Sequence, residues 1–142
     1  MKVTDNFDIR EFVPPAIWRM FGIKSIAFVD QRIIDFAQWL RDKSGMPVIV
    51  NNWHLGGTYT NSGYRMPDCE VGGDLSQHKF GRGVDCKIEG WSGEKLRNFI
   101  VLNWNEAKQY ITTIEDGTTT WLHADCRQTN QDDIYIVAYL RK

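Results

Sequence analysis

The chain has 142 residues, a size that fits one domain around one core. Hydrophobic residues make up 42% and aromatics 13%, enough apolar surface to fold without covalent staples, and the formal net charge is -1. With a pI of about 6.3, a nucleic-acid partner held by a broad basic face is not expected, because phosphate binding needs clustered Lys and Arg.

Met1 to Arg10 carries Asp5 and Asp8 and no apolar run, so no secretory signal is expected there. No stretch approaches the ~20 apolar residues of a membrane span, so synthesis in the cytoplasm is expected. Pro14-Pro15 followed by Ala-Ile-Trp-Arg-Met-Phe-Gly predicts a short helix, Pro favouring its first turn and Gly22 ending it. A longer helix is predicted from Ser25 to Lys43. Ile26, Val29, Ile33, Phe36 and Leu40 form its apolar stripe, Ser25 caps its start and Gly45 follows its end. That stripe reads as core rather than as a docking groove.

Pro47 to Val50 is a short β-branched run and predicts a strand. Asn51 to Leu75, rich in Gly, Asn and Asp, predicts a long loop of the kind that carries function. Gly83 to Ile88 predicts a strand, and Ser92 a helix cap for Gly93 to Tyr110, with Leu96, Phe99, Ile100 and Trp104 inward. Tyr110 to Glu115 and Thr118 to Arg127 predict a hairpin joined by Asp116-Gly117, and Ile134 to Leu140 a last strand. The order predicts an α+β fold with a small, mainly antiparallel sheet and flanking helices.

The chemistry gathers at two segments. His78-Lys-Phe-Gly-Arg-Gly-Val-Asp85 places a His in a loop and an Asp on the following strand, with Gly81 and Gly83 between them where the chain turns. Trp121-Leu-His123-Ala-Asp125-Cys-Arg127 supplies a second His on another strand. Two imidazoles and a carboxylate, with a fourth position left for water, make a catalytic zinc arrangement. Such an arrangement acidifies water enough for attack on a carbonyl. Two His and one Asp in a chain of this length are also compatible with unrelated residues, a lone His being more often a packed or surface residue. On a strand, alternate residues share a face, so Asp125 and Trp121 stand on the side of His123. Cys86 and Cys126 point away from it, and Cys69 completes an odd set with no CxxC spacing; buried free thiols are expected. His54, on the long loop, reads as either a cleft residue or an ordinary loop His.

Ser76-Gln-His78-Lys-Phe-Gly81-Arg-Gly83-Val-Asp85 resembles the S-x-H-x-x-G-x-A-x-D motif of the zinc D-Ala-D-Ala carboxypeptidase family, which has the hedgehog/DD-peptidase fold. Gly83 stands where that family usually has Ala. Ser62-Gly-Tyr-Arg65 resembles the family's S-x-Y-R segment, and His123-Ala-Asp125-Cys-Arg127 the H-x-D-x-R ending of a branch common in bacteriophage genomes. Asn6-Phe7 and Glu11-Phe12 are similar to the opening of that branch.

The resemblance implies a zinc ion on His78, Asp85 and His123, and contact of Arg65 with a substrate carbonyl or carboxylate. Otherwise Arg65 is a structural ion pair. It implies either a substrate hydrogen bond or a loop-tethering role for Ser76. Better-known branches carry an acid three residues before the last zinc His, or a His two before it. Here Thr120 and Trp121 stand there. Asp125 is then the nearest acid, a general base for water or, equally, a partner orienting a zinc His or pairing with Arg127.

The resemblance thus implies a zinc-dependent DD-carboxypeptidase or endopeptidase acting on D-amino-acid-containing bonds of peptidoglycan stem peptides. It would act at the cell wall as a phage lysis enzyme, an endolysin, or as part of a virion. The alternatives are a zinc-binding structural or cell-wall-binding virion domain without hydrolytic activity, and a metal-free relic of the fold.

Overall fold

The computed structural model describes residues 1–139, which fold as helices around a small four-stranded mixed sheet, an α+β arrangement. The helices are α1 (Pro15–Phe21), α2 (Gln31–Ser44), α3 (Gly93–Leu102) and α4 (Trp104–Ala107). The strands are β1 (Gly83–Cys86), β2 (Thr113–Asp116), β3 (Leu122–Asp125) and β4 (Tyr135–Ala138). No helix among the described residues is long and apolar enough to cross a membrane.

The single helix expected from Ser25 to Lys43 is two elements. A 3-10 helix covers Gly22–Phe28, Val29 is extended, and α2 begins after Asp30. Asp30, not Ser25, is the cap: its carboxylate accepts the Arg32 amide at 2.9 Å. Ser25 is buried, its hydroxyl directed at the Ile17 carbonyl. The Asp30 amide donates to the carbonyl of Gly81 at 2.8 Å, so the break ties the start of α2 to the turn that follows His78. From there the stripe behaves as expected, with Ile33, Phe36 and Leu40 fully buried and Gly45 in the left-handed conformation at the C-terminus. Each such side chain contributes about 2–3 kcal/mol on burial, and Leu40→Ala would remove that and leave a cavity.

Pro47 to Val50 is not a strand; Ile49 forms an isolated antiparallel bridge with Lys87. The helix expected to Tyr110 breaks at Asn103, whose side-chain amide donates to the Phe99 carbonyl at 2.8 Å, competing with the helix backbone. Ser92 does cap α3, its hydroxyl accepting the Lys95 amide at 3.0 Å.

The sheet order is β1-β3-β2-β4. β3 is antiparallel to both β1 and β2, as expected, but β4 runs parallel to β2, so the sheet is mixed. The reason is positional. β1 occupies the outer edge of β3, and its own far edge is bonded by Ser62 and Ile49, so the last strand adds to the edge of β2. The chain leaves β3 at the end where β2 begins, and Tyr135 starts there, its amide donating to the Thr112 carbonyl at 2.9 Å. The hairpin turn also differs: β2 ends at Asp116 and β3 begins at Leu122, so five residues connect them rather than Asp116-Gly117. The part of the last strand expected to reach Leu140 lies outside the described residues.

Val84, Cys86, Leu122, Ala124 and Ile114 face the core with Phe7, Phe12, Phe36 and Leu40. The alternate residues, Asp85, His123 and Asp125, face the other way, as the two-residue period of a strand requires.

Candidate metal centre

Asp85 and His123 are direct cross-strand partners in the β1–β3 ladder. Directly opposed residues share a face with Cβ atoms about 5 Å apart, so the register alone brings their side chains together. His78 comes from the 3-10 helix Gln77–Phe80, which the chain completes just before β1. Two glycines make that approach possible. Gly81 ends the 3-10 helix at φ +70°, and a Cβ there would lie 2.0 Å from the Phe28 carbonyl oxygen. Gly63 packs so closely on Phe12 that a Cβ would stand 2.3 Å from its carbonyl oxygen, and the Gly63 carbonyl is the group that orients His78.

The geometry of the three side chains is compact. His78 Nδ1 donates to the Gly63 carbonyl at 2.8 Å, which leaves Nε2 facing inward. His78 Nε2 and His123 Nδ1 are 3.2 Å apart, His78 Nε2 and Asp85 Oδ1 3.3 Å, and His123 Nδ1 and Asp85 Oδ1 3.1 Å. Tetrahedral coordination with bonds of about 2.0 Å requires ligand–ligand edges of about 3.3 Å, so the triangle has the size of one face of a zinc site. The donor set, two neutral-capable imidazoles and a carboxylate, fits that ion. Among the described residues, the ligand atoms of His78, Asp85 and His123 lie close enough together that they could hold a metal ion.

The charges around the triangle are unequal. Burial pushes the His78 imidazole down, towards its neutral form. Burial acts in the same sense on His123 but is overridden by hydrogen bonds to Asp125 and Asp85, which raise it to about 9. Asp85 would be raised by burial, yet the two imidazoles hold it well below the usual carboxylate range. Without a metal the triangle is therefore an imidazolium–carboxylate pair beside a neutral imidazole, and a cation would displace the proton on His123 Nδ1.

Asp125 stands behind His123 rather than in front of it. One carboxylate oxygen accepts His123 Nε2 at 2.8 Å, and Arg127 donates to the carboxylate through Nε at 2.8 Å and a terminal guanidinium nitrogen at 2.6 Å. Burial would raise this carboxyl, but Arg127 and His123 hold it down at about 2. Of the roles weighed for Asp125, these contacts are the orienting and ion-pairing ones; it is fully buried and does not line the cleft.

A cleft of about 720 Å³ opens over the triangle, lined among others by Arg65, Ser76, Glu115, Trp121 and Tyr139. Arg65 is buried, with Nε donating to the Asn61 carbonyl at 2.8 Å and a terminal nitrogen 3.3 Å from Asp85 Oδ2. It is therefore an ion-pair partner of Asp85 and a wall of the cleft together. Ser76 precedes the His78 turn and its carbonyl accepts the Lys79 amide. Trp121 shares the face of His123 and meets Tyr139 edge-on, with centroids 5.5 Å apart, as one side of the cleft. Cys86 and Cys126 are buried free thiols on the core side, pushed up by burial to about 12 and about 11. Thr120 is exposed and His54 does not line the cleft.

Glu115 is the acid that the sequence did not single out. Ile114 pairs with Ala124, so the next residue of β2 stands beside His123 on the same face. Its carboxyl is half-buried and lines the cleft. Burial raises its pKa, and the charges of Asp85 and Asp125 add to that, against His123 and Arg127. The signal was the strand parity of the hairpin, visible only once the register was known. No protein-family model matches the chain, and neither the curated proteins nor the solved structures include a match.

Proposed function

We propose that this chain is a zinc-dependent peptide hydrolase acting on D-amino-acid-containing bonds of peptidoglycan stem peptides, in a phage lysis or virion-associated setting. The observation that carries the proposal is the triangle of His78 Nε2, Asp85 Oδ1 and His123 Nδ1, sized for zinc and open on its fourth side to a cleft. The choice of stem peptides rests on the resemblance of the His78–Asp85, Ser62–Arg65 and His123–Arg127 segments to the D-Ala-D-Ala carboxypeptidase family. When bound, zinc supplies Lewis-acid polarisation of a carbonyl and a lowered pKa for water.

The chain's own residues supply the rest. His78 and His123 present nitrogens fixed from behind by the Gly63 carbonyl and by Asp125. Arg65 places a guanidinium at the cleft wall next to Asp85, where negative charge develops on a carbonyl oxygen during attack. Glu115, with its raised pKa, accepts a proton from the attacking water at its carboxylate and returns it to the leaving nitrogen. Trp121 and Tyr139 exclude water from one side.

A second reading, a zinc-binding virion domain without hydrolytic activity, is favoured by one observation: Asp125 is saturated by Arg127 and His123. Digestion of purified peptidoglycan by the zinc-loaded protein separates the two. Release of new amino groups or D-Ala, abolished by chelator and by His78→Ala, is expected. An intact substrate at full zinc occupancy selects the binding domain.

A further inference from the structure

Three cations stand at or beside the cleft, and two of them are already engaged by carboxylates: Arg65 by Asp85, and Arg127 by Asp125. Lys87 is the exception. It follows Asp85 by two residues on the same edge of the sheet, so its side chain leaves from the same face about 7 Å along. Its ammonium donates to Ser62 Oγ at 3.1 Å and lies 4.2 Å from the centroid of the Tyr59 ring. Among the described residues no carboxylate comes within 4 Å of it. Asp85, two residues before it on the same face, is taken by Arg65 and the two imidazoles.

A half-buried ammonium held by one hydroxyl and one aromatic face is incompletely compensated for its lost hydration. Both of its partners, Ser62 and Tyr59, line the cleft above the metal triangle. A protein that needed Lys87 only for packing would gain from a neutral side chain here; a free cation at this place is a receptor for an anion.

We propose that Lys87, Ser62 and Tyr59 form a carboxylate subsite that takes an acidic group of the substrate about two residues from the bond held at the His78–Asp85–His123 triangle. The spacing follows from the strand: about 7 Å is the reach of two extended residues of a bound peptide. The inference rests on the peptide-hydrolase reading above and narrows its substrate class to acidic peptides. Stem peptides carry such a group in the free α-carboxylate of their D-glutamate, which amidation neutralises without changing size.

The test uses two synthetic pentapeptides, L-Ala-γ-D-Glu-L-Lys-D-Ala-D-Ala and the same chain with the D-Glu α-carboxylate amidated. Each is mixed with the zinc-loaded protein in a stopped-flow titration that follows tryptophan fluorescence before turnover. The acidic peptide is expected to bind about tenfold more tightly, as one charge-assisted hydrogen bond at a partly exposed site provides. Lys87→Met should erase the difference while leaving the amidated peptide's affinity unchanged, and Lys87→Arg should keep most of it. Equal binding of the two peptides by the unaltered protein overturns the subsite and leaves the hydrolase reading standing, as does a preference that survives Lys87→Met. Failure of both peptides to bind overturns the subsite together with the stem-peptide reading.

Discussion

The two histidines of the triangle are held by opposite means. His78 belongs to a 3-10 turn and is oriented by a neutral group, the Gly63 carbonyl; His123 belongs to a strand and is oriented by a charged one, Asp125. Both arrangements fix a tautomer and aim one nitrogen inward. They differ in what they do to the proton. Burial favours neutral His78, whereas two carboxylates keep His123 cationic up to about pH 9 in the absence of metal. The difference teaches that one site can hold one ligand ready and keep another protected until a cation replaces its proton.

The largest way to break the comparison is to remove the charge behind His123. Asp125→Asn leaves the Arg127 guanidinium without its buried counter-charge, at an expected cost of about 3–5 kcal/mol in stability. Zinc affinity should also fall about 10- to 100-fold, because the ring loses the carboxylate charge that raises its basicity. Chemical denaturation and competition with a chromogenic chelator measure the two. Unchanged zinc affinity with lost turnover would return Asp125 to the role of general base.

The matching change behind His78 has to act through the backbone, since a main-chain carbonyl holds its Nδ1. Gly63→Ala sets a Cβ against the Phe12 carbonyl at 2.3 Å, so one of the two segments must move. A loss of about 3 kcal/mol is expected from such overpacking. Unlike Asp125→Asn, it should not change the pH dependence of the metal-free protein, because no charge is altered. Thermal melts in the presence of chelator, at several pH values, check both statements.

These contrasts also show what could be read without coordinates. The meeting of His78, Asp85 and His123 was legible because strand parity and glycine placement follow from local rules, and Asp85 and His123 are direct cross-strand partners. The helices were legible as apolar stripes, but their ends were not. The break at Val29–Asp30 answers to a hydrogen bond with Gly81, fifty-one residues away, which no local pattern records. The direction of β4 depends on which sheet edge was already taken, and Glu115 became visible only through the β2–β3 register. What sequence periodicity cannot carry is competition between distant segments for the same partner.

The smallest effect sharpens the comparison most, because it separates the two imidazoles by pH alone. His123 is raised to about 9 in the folded, metal-free chain, against an ordinary value of 6.5. Its contribution to stability is complete below pH 6.5 and is lost as pH rises through 9, a fall of about 2–3 kcal/mol across that window. His78 is lowered, so its contribution has the opposite sign. It is complete above pH 6.5 and is lost as pH falls below that value, where the unfolded chain takes up a proton that folded His78 resists. Together the two give the metal-free protein a stability maximum near pH 6.5, read from urea midpoints in chelator at steps of half a pH unit. Zinc should abolish the alkaline limb, since metal and not a proton then occupies His123 Nδ1. A metal-free profile flat from pH 6.5 to 9 would mean that His123 is already neutral, and the contrast between the histidines would reduce to one of backbone alone.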